Sequence, residues 1–426
     1  MSLARLIYST IFALLVPLIP LRLLWRGRRQ RGYLRHVGER FGFYPPAPDG
    51  PLIWVHAVSV GETRAAEPLV KALQARFPEH MILITHMTPT GRETSEQLFG
   101  DSVARCYLPY DLPFAVSAFL DHYRPTFGLI LETELWFNLV HACARRRLSL
   151  YLVNARLSER SARGYSLLPA LSRPALAALT AVGAQTKADA KRLRALGAER
   201  VVVTGNLKFD MTPPESAKHL GKLLRDLFGR ERPVLLLAST RAGEEPMLLD
   251  ACTTIDVPEL LIALVPRHPQ RFDEVAMLLE KRGLRYQRRS AGELVHPLAR
   301  VVLGDSMGEM FAYYHAADVA AIGGSFLPYG GQNLIEACAV GTPVIIGPST
   351  YNFSEAARRA VEAGAAVQVT DTEALRREAE RLLKNATTRE AMGREGIAFA
   401  RAHRGATEKT LALLDFSAAP GSNLPR

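Results

Sequence analysis

The chain has 426 residues, of which 48% are hydrophobic and 22% charged, so it is too apolar for a disordered protein and too polar for a multi-spanning membrane protein. Residues 1–40 hold eight arginines and one glutamate and carry +7 of the net charge of +11, which argues against a phosphate-binding surface along the whole chain and against a nucleic-acid partner. The four cysteines lie far apart without a CxxC pair, which indicates a reducing compartment and offers no zinc site.

An apolar segment lies at the start of the sequence. Residues 6–21 contain no charged side chain, and the apolar character resumes after Arg22, so the stretch reaches ~20 residues and has the length to cross a bilayer. Most arginines follow this segment, which argues against a cleaved signal peptide and places the large body in the cytoplasm. We therefore predict a membrane anchor over residues 1–25. Pro17 and Pro20 leave open an interfacial helix or a monotopic hairpin.

After residue 50, short apolar runs alternate with amphipathic stretches, which is typical of βα units and parallel sheets. Predicted strands of the first half span residues 52–57, 81–85, 127–131, 148–153, 181–184 and 201–203. Those of the second half span residues 234–238, 260–265, 284–286, 301–303, 319–322, 344–346 and 366–369. The predicted fold is α/β, with two doubly wound parallel-sheet domains that face a cleft at the carboxyl ends of their strands.

The boundary between the two sets of strands defines the expected domains. Residues 213–232 contain two prolines and a charged, helix-like stretch, and we predict that they form a linker. The domains on either side are then residues 26–212 and 233–416. A low-complexity tail over residues 417–426 is expected to be disordered.

The first polar loop follows strand 52–57 and contains Ser59, Gly61 and Glu62. Because Glu62 lies at the start of a helix, we expect the helix dipole to lower its pKa, which favours a general base over a general acid. The same residues are also explained without catalysis, with Ser59 as a helix cap and Glu62 as a complement to the dipole.

Two further loops of the first half carry candidate residues. Glu132 and Glu134 follow strand 127–131, where two carboxylates are costly to bury without a function. Arg156 follows the next strand. Lys208 lies in the last loop, where it could stabilise a developing phosphate charge or pair with Asp210 at the surface.

In the second half, candidate residues again follow strands. Arg267 and His268 come after strand 260–265 and supply a guanidinium group and an imidazole for a phosphate, although a solvated turn explains them equally well. Residues 304–309 lead into a helix whose free amides could receive an anion or a base edge. Glycine pairs at 323–324 and 330–331 precede Glu336, a pattern that suits a nucleotide sugar, although turns with positive φ also explain glycine.

Seven segments carry a resemblance to a known family, in the family's order: SVGE (59–62), ETELW (132–136), NARLS (154–158), GNLKFD (205–210), PRHP (266–269), GDSMGE (304–309) and NLIE (333–336). The chain resembles the bacterial 3-deoxy-D-manno-octulosonic acid (Kdo) transferases of lipopolysaccharide biosynthesis. The resemblance implies a GT-B fold and an inverting transfer that needs no metal and no cofactor. It also implies CMP-Kdo as the donor, a lipid A precursor as the acceptor, and a location at the bacterial inner membrane among its lipids.

The resemblance also implies residue roles. Glu62 is the base that removes the proton of the acceptor hydroxyl, and Glu132 and Lys208 support the transition state. The residues implied to hold CMP are Arg267, His268, Met307, Gly308, Glu309, Asn333, Leu334, Ile335 and Glu336. Further candidates are Ser59, Gly61, Glu134, Arg156 and Gln332.

The sequence departs from the family pattern at three positions. Gln332 stands where the family often has His, and Leu334 and Phe137 stand where Pro is usual. Gln332 donates a hydrogen bond but carries no charge. The alternatives are an isomerase resembling the UDP-N-acetylglucosamine 2-epimerases, another nucleotide-sugar glycosyltransferase, and a membrane-tethered nucleotide-sugar binding module without catalysis.

Overall fold

The computed structural model describes residues 2–211 and 213–414, so the tail predicted to be disordered at 417–426 lies outside the described residues. The chain divides into two compact units. The first comprises Met1–Met211 with His403–Arg426, and the second comprises Thr212–Ala402.

The first unit contains a seven-stranded parallel sheet of order β3-β2-β1-β4-β5-β6-β7. Its strands are β1 (Leu52–His56), β2 (Met81–His86), β3 (Val103–Tyr107), β4 (Phe127–Leu131), β5 (Ser149–Ala155), β6 (Ala181–Ala184) and β7 (Val201–Val203). Its helices are α1 (Leu3–Leu15), α2 (Leu18–Arg29), α3 (Val60–Arg76), α4 (Pro89–Phe99), α5 (Pro113–Tyr123), α6 (Phe137–Arg145), α7 (Glu159–Ser166), α8 (Pro169–Ala177) and α9 (Lys187–Ala195).

Strand β1 lies at the centre of this sheet and is buried on both faces. Trp54 packs into the core on one face, whereas Ile53 and Val55 pack into the core on the other. Such a strand shows a continuous apolar run in place of alternation, which is why the sequence reveals it. Gly128 of β4 pairs with Trp54, and a Cβ atom there would lie 2.5 Å from the Trp54 ring. Glycine therefore leaves room for the indole, which packs over β4 on this face of the sheet.

The second unit contains a seven-stranded parallel sheet of order β10-β11-β9-β8-β12-β13-β14. Its strands are β8 (Val234–Thr240), β9 (Leu261–Pro266), β10 (Tyr286–Arg288), β11 (Val301–Leu303), β12 (Val319–Ile322), β13 (Val344–Ile346) and β14 (Ala366–Gln368). Its helices are α10 (Glu215–Phe228), α11 (Glu244–Cys252), α12 (Phe272–Lys281), α13 (Met310–Ala316), α14 (Ile335–Val340), α15 (Ser354–Glu362), α16 (Thr372–Lys384) and α17 (Ala386–Ala402). The last helix, α18 (Ala406–Leu413), belongs to the first unit.

The strand order reverses at the first strand of each sheet, since β1 lies between β2 and β4 and β8 lies between β9 and β12. Loops at the carboxyl ends of such strands are where doubly wound sheets bind ligands. Near its carboxyl end, β8 has a shift in register between Ala238 and Thr240, and Ser239 has a φ of +58°. Both features lie where a ligand is expected.

The predicted strands correspond to elements of the structure, with one addition and one shift. Strand β3 was not predicted, because its central residues Ala104 and Arg105 are only partly buried and interrupt the apolar run at the edge of the sheet. Strand β10 begins at Tyr286, where the predicted strand 284–286 ends. Each sheet thus has seven strands.

The predicted linker and the last described helix belong to different units. Most of the predicted linker 213–232 is helix α10, which belongs to the second unit. Helix α18, which the sequence analysis placed in the second domain, belongs to the first unit, where the Asp210 carboxylate accepts hydrogen bonds from the backbone of Gly405 and Thr407. The chain therefore returns to the first unit after α17.

The predicted anchor region forms two helices. Helix α2 begins directly after Pro17, the residue at its N-cap position. Among the described residues, no single helix has the length and apolar character of a membrane span, whereas the pair Leu3–Leu15 and Leu18–Arg28 passes by length and composition with a bend of 54° between its members.

Candidate active site

Glu62 lies in the first turn of helix α3, beside the loop that follows β1. Its carboxylate turns back and accepts hydrogen bonds from the Val58 N–H at 2.8 Å and from the Ser59 hydroxyl at 3.1 Å. Ser59 occupies the N-cap position, but its hydroxyl donates to Glu62 and makes no cap of its own. Both oxygens of the carboxylate are thus held by the loop.

The pKa of Glu62 is raised to about 8. Burial is the largest cause and repulsion from Glu132 the next, and together with Glu134 they outweigh the hydrogen bonds from Val58 and Ser59. The expectation that the helix dipole would lower this pKa is therefore wrong, because the carboxylate is desolvated and lies near two others.

Glu132 directly follows β4 and has a φ of +57°, an unusual conformation for a residue with a side chain. Its N–H donates to the Val153 carbonyl at 3.0 Å, which fixes the turn against β5. Lys208 Nζ lies 3.7 Å from Glu132 Oε1. The structure therefore pairs Lys208 with Glu132, and not with Asp210, whose carboxylate accepts backbone hydrogen bonds of 405 and 407.

Lys208 is positioned by two asparagines. The buried side chain of Asn154, at the end of β5, accepts a hydrogen bond from the Leu207 N–H at 3.0 Å. Asn206 accepts one from the Lys208 N–H, also at 3.0 Å. Asn154 itself has a φ of +52°. Asn154 thus fixes the turn at residues 207–210 and Asn206 caps its start, so the Lys208 ammonium group extends from a defined backbone.

Three other candidates of the first unit lie in the same loops. Burial and the neighbouring Glu132 raise the pKa of Glu134. The carbonyl of Arg156 accepts a hydrogen bond from the Thr133 hydroxyl, which joins the loops after β4 and β5. Gly61 is exposed on the first turn of α3. The described part of the first unit thus brings Glu62, Glu132, Glu134 and Lys208 into one electrostatic group.

His86, at the end of β2, is a residue that the sequence analysis missed. It is fully buried, and its Nδ1 lies 2.8 Å from the carbonyl oxygen of Ala57. Because a carbonyl oxygen only accepts, Nδ1 carries the proton. The same peptide unit presents the Val58 N–H to Glu62. One peptide therefore joins the imidazole to the carboxylate, and burial lowers the pKa of His86 to about 4, which keeps the ring neutral.

In the second unit, Glu244 organises the loop after β12 and was also missed. Its side chain is fully buried at the start of α11 and accepts three backbone hydrogen bonds. The donors are the N–H groups of Arg241 at 2.8 Å, Gly324 at 2.6 Å and Phe326 at 3.0 Å. A single carboxylate thus holds the loop after β8 to the glycine-rich turn after β12.

Cationic side chains gather at the carboxyl ends of β8 and β9. The Arg267 N–H donates to the Thr240 carbonyl at 2.9 Å, which brings the two loops together. Burial and then the charges of Arg241, Arg267 and Arg271 lower the pKa of His268. Arg271 already pairs with Glu245, at 2.5 and 3.1 Å. Arg241 is a further cation beside the predicted Arg267 and His268, and its guanidinium lies 4.8 Å from the Tyr329 ring centroid.

The loop after β11 contains Met307, Gly308 and Glu309. Met307 is exposed, and Gly308 has a φ of +83°, which a side chain rarely adopts. The Glu309 carboxylate accepts a hydrogen bond from the Ser306 hydroxyl at 2.5 Å and lies 3.3 Å from Arg289. This carboxylate is held from two sides.

The segment 332–336 starts helix α14. Asn333 accepts from the Ile335 N–H at 3.1 Å and donates to Glu336 Oε1 at 3.1 Å. Leu334 and Ile335 have buried side chains, so any polar contact to a ligand there comes from the backbone. The Gln332 N–H donates to the Gly323 carbonyl at 3.0 Å, which joins the two glycine-rich turns.

Comparison with known proteins gives the chain its relatives. A family model described as "3-Deoxy-D-manno-octulosonic-acid transferase (kdotransferase)" matches residues 35–211, and one described as "Glycosyl transferases group 1" matches residues 285–399. The 3-deoxy-D-manno-octulosonic acid transferase of Bordetella pertussis is 46% identical over 425 residues, which cover 96% of this chain and 98% of that protein. The one of Haemophilus influenzae is 38% identical over 419 residues, with the same coverage.

Solved structures confirm the fold class. The UDP-GlcNAc 2-epimerase from Neisseria meningitidis bound to UDP-GlcNAc has a TM-score of 0.59 and 17% identity to this chain, and the match covers 85% of this chain and 99% of that one. At this identity the likeness concerns the fold alone. With two parallel seven-stranded sheets and a group 1 glycosyltransferase domain, the α/β, GT-B-like fold is confirmed.

Proposed function

The chain belongs to the Kdo transferase family and is a glycosyltransferase, and on that premise we propose that it transfers Kdo from CMP-Kdo to a hydroxyl group of a lipid A precursor, with Glu62 as the general base. The proposed transfer inverts the configuration at the anomeric carbon of Kdo. It belongs to the synthesis of the lipopolysaccharide core.

The environment of Glu62 is the observation that carries this proposal. A general base works best when its pKa lies near the operating pH, and burial with the nearby Glu132 raises the pKa of Glu62 to about 8. In the proposed step, the acceptor hydroxyl gives its proton to Glu62 as its oxygen bonds to the anomeric carbon. The bond from that carbon to the phosphate oxygen breaks, and its electron pair leaves with CMP.

Lys208 and Glu132 support the developing charges in this proposal. The ammonium group lies 3.7 Å from a Glu132 oxygen, which keeps it oriented without a tight bidentate contact. A positioned cation of this kind stabilises negative charge in a transition state. Glu134 and Ser59 contribute to the electrostatic environment of Glu62.

The second unit would hold the donor. CMP-Kdo carries a phosphate and a carboxylate, and Arg241, Arg267 and His268 offer cationic and imidazole donors near one another. The Glu309 and Glu336 carboxylates can accept hydrogen bonds from the hydroxyl and amino groups of a nucleoside. Asn333 lies beside Glu336 and donates to it. The backbone around Met307–Gly308 and Leu334–Ile335 completes the proposed CMP contacts.

Helices α1 and α2 provide the proposed contact with the membrane that contains the acceptor. Apolar side chains on both helices are exposed, namely Leu3, Leu6, Ile7, Ile11, Leu14, Leu15, Leu18, Leu21, Leu24 and Trp25. Arginines of α2 and of the segment after it accompany them, and such a pattern suits anionic lipid. We propose that these helices attach the protein to the cytoplasmic face of the bacterial inner membrane, where a lipid acceptor resides.

Product analysis tests the proposal. The purified protein is incubated with a tetraacyl lipid A precursor and with CMP-Kdo regenerated in the tube, and the lipid is analysed by mass spectrometry. We expect Kdo mass increments with the wild type and with Glu67→Gln, a control on the same helix whose carboxylate pairs with Lys71. No increments are expected with Glu62→Gln.

The other outcomes identify the alternatives. Increments with Glu62→Gln would exclude Glu62 as the base. CMP binding without any increment would favour a binding module or another acceptor, and binding of UDP in place of CMP would favour a different nucleotide sugar.

A further inference from the structure

Helix α1 packs on α6 through specific polar contacts. The Tyr8 hydroxyl donates to Asp111 Oδ2 at 2.9 Å, and its ring meets Phe137 edge-on at 5.2 Å. The Ser9 hydroxyl and the side chain of Asn138 lie within hydrogen-bonding distance, at 3.0 and 3.1 Å. These contacts fix which residues of the two helices face each other.

That arrangement brings basic residues of both helices to one cavity. Arg5 lies one turn before Ser9 on α1, and His141 and Arg145 lie one and two turns after Asn138 on α6. All three line a cavity of about 360 Å³, together with Arg146. In the part of the chain that the structure describes, no acidic side chain lines this cavity.

The positive charge of the cavity is largely uncompensated. Arg146 pairs with Asp121 at 2.8 Å, but within residues 2–211 and 213–414 no carboxylate lies within ion-pair distance of Arg5, His141 or Arg145. The three affect one another, since burial and then Arg145 lower the pKa of Arg5, and burial followed by Arg5 and Arg145 lowers the pKa of His141.

The nearby carboxylate is already engaged. Asp111 accepts hydrogen bonds from the N–H groups of Asn138 and Leu139 and from the Tyr8 hydroxyl. Arg145 lies in the last turn of α6, where the helix dipole favours a cation, but this does not account for Arg5 on another helix. Arg145 is exposed and Arg5 and His141 are half-buried, so their charges are accessible to a bound anion, which offsets their mutual repulsion.

We propose that this cavity binds the phosphate group of a membrane lipid, at a site separate from the candidate active site. Guanidinium groups match phosphate in geometry and charge, and 360 Å³ holds a phosphate with part of a head group. That the phosphate belongs to a lipid rests on the proposed membrane attachment of α1, where Leu3, Leu6 and Ile7, the neighbours of Arg5, are 72%, 46% and 51% exposed. A helix whose apolar side chains enter the acyl layer holds its arginine at the depth of the phosphates.

A soluble short-chain phosphatidylglycerol, used below its micelle concentration, tests the site without a charged surface. The full chain is kept in an uncharged maltoside detergent, and binding is measured by calorimetry. We expect saturable binding at one site, weakened about tenfold or more in Arg5→Gln and in Arg145→Gln, because each loses a charge-assisted contact to phosphate. Arg147→Gln removes the same charge two residues away, outside the cavity lining, and should bind like the wild type.

Further arms separate the explanations. Arg145→Lys keeps the charge and should retain most of the binding, and NMR titration of His141 should show its pKa rise when the lipid binds, since an anion favours imidazolium. Glu62→Gln should bind the lipid normally, so this result is independent of the proposed transfer reaction. Inorganic phosphate that binds as tightly as the lipid would overturn the lipid assignment. Absence of saturable binding, or equal loss in Arg147→Gln, would overturn the site.

Discussion

Replacement of Glu244 tests the idea that one buried carboxylate holds the glycine-rich turn of the second unit. In Glu244→Ala, three backbone N–H groups lose their acceptor, and a hydrogen bond to a charged group contributes about 1.5–3 kcal/mol. Because such contributions add incompletely, we expect a loss of about 4 kcal/mol in the free energy of unfolding. In Glu244→Gln, the amide oxygen can keep the two contacts of Oε2 and lose that of Oε1, for a loss of about 2 kcal/mol.

Thermal unfolding followed by calorimetry measures these losses. A unit of this size loses about 2–4 °C in Tm per kcal/mol, so Glu244→Ala should melt about 8–16 °C below the wild type and Glu244→Gln about half as far. Glu362→Ala is the control, because its exposed carboxylate pairs with Arg358 on the same helix. If Glu244→Ala melted with the control, the carboxylate would not be what holds the turn. CMP affinity should fall in the same order, since the turn belongs to the proposed donor site.

Three further predictions concern the first unit. The value of kcat/KM should rise with pH through a limb near pH 8, because Glu62 must be deprotonated and its pKa is about 8; a limb near pH 4.5 in the pH–rate profile would contradict this. His86→Leu should move that limb to higher pH, because the Ala57 carbonyl loses its hydrogen-bond donor and the Val58 N–H of the same peptide then stabilises the Glu62 carboxylate less. His86→Asn, which can donate to the same carbonyl, should restore the limb. Identical pH–rate profiles for the wild type and the two variants would refute the role of His86. Lys208→Met should lower kcat by about 10²–10³ with a smaller change in KM, and a variant with wild-type kcat in steady-state kinetics would exclude transition-state stabilisation by Lys208.

The sheets were largely predictable, since parallel strands buried on both faces leave continuous apolar runs. Strand β3 was missed because Arg105 interrupts such a run at a sheet edge, where burial on both faces is not required. That helix α18 packs with the first unit is not visible in the sequence, because its contact with Asp210 joins residues that are almost 200 positions apart.

The candidate site was predictable in position but not in electrostatics. The sequence places Glu62 after a strand and at a helix start, and the structure has it there. The sign of its pKa shift depends on Glu132 and on burial, which come from other loops. Glu244 was missed for the same reason, since two of its donors lie 80 and 82 residues away. Local pattern identifies which loops matter, and contacts between loops determine their chemistry.

Glu132, Asn154 and Ser239 each adopt a positive φ at the carboxyl end of a strand. A side chain in that conformation costs about 1–2 kcal/mol relative to glycine. Laboratory evolution that selects for thermal stability alone, without selection for transferase activity, should therefore favour glycine at positions 132 and 239. The resulting proteins would be more robust and less active, so any stabilisation campaign on this scaffold should hold these positions constant and seek its gains elsewhere in the fold.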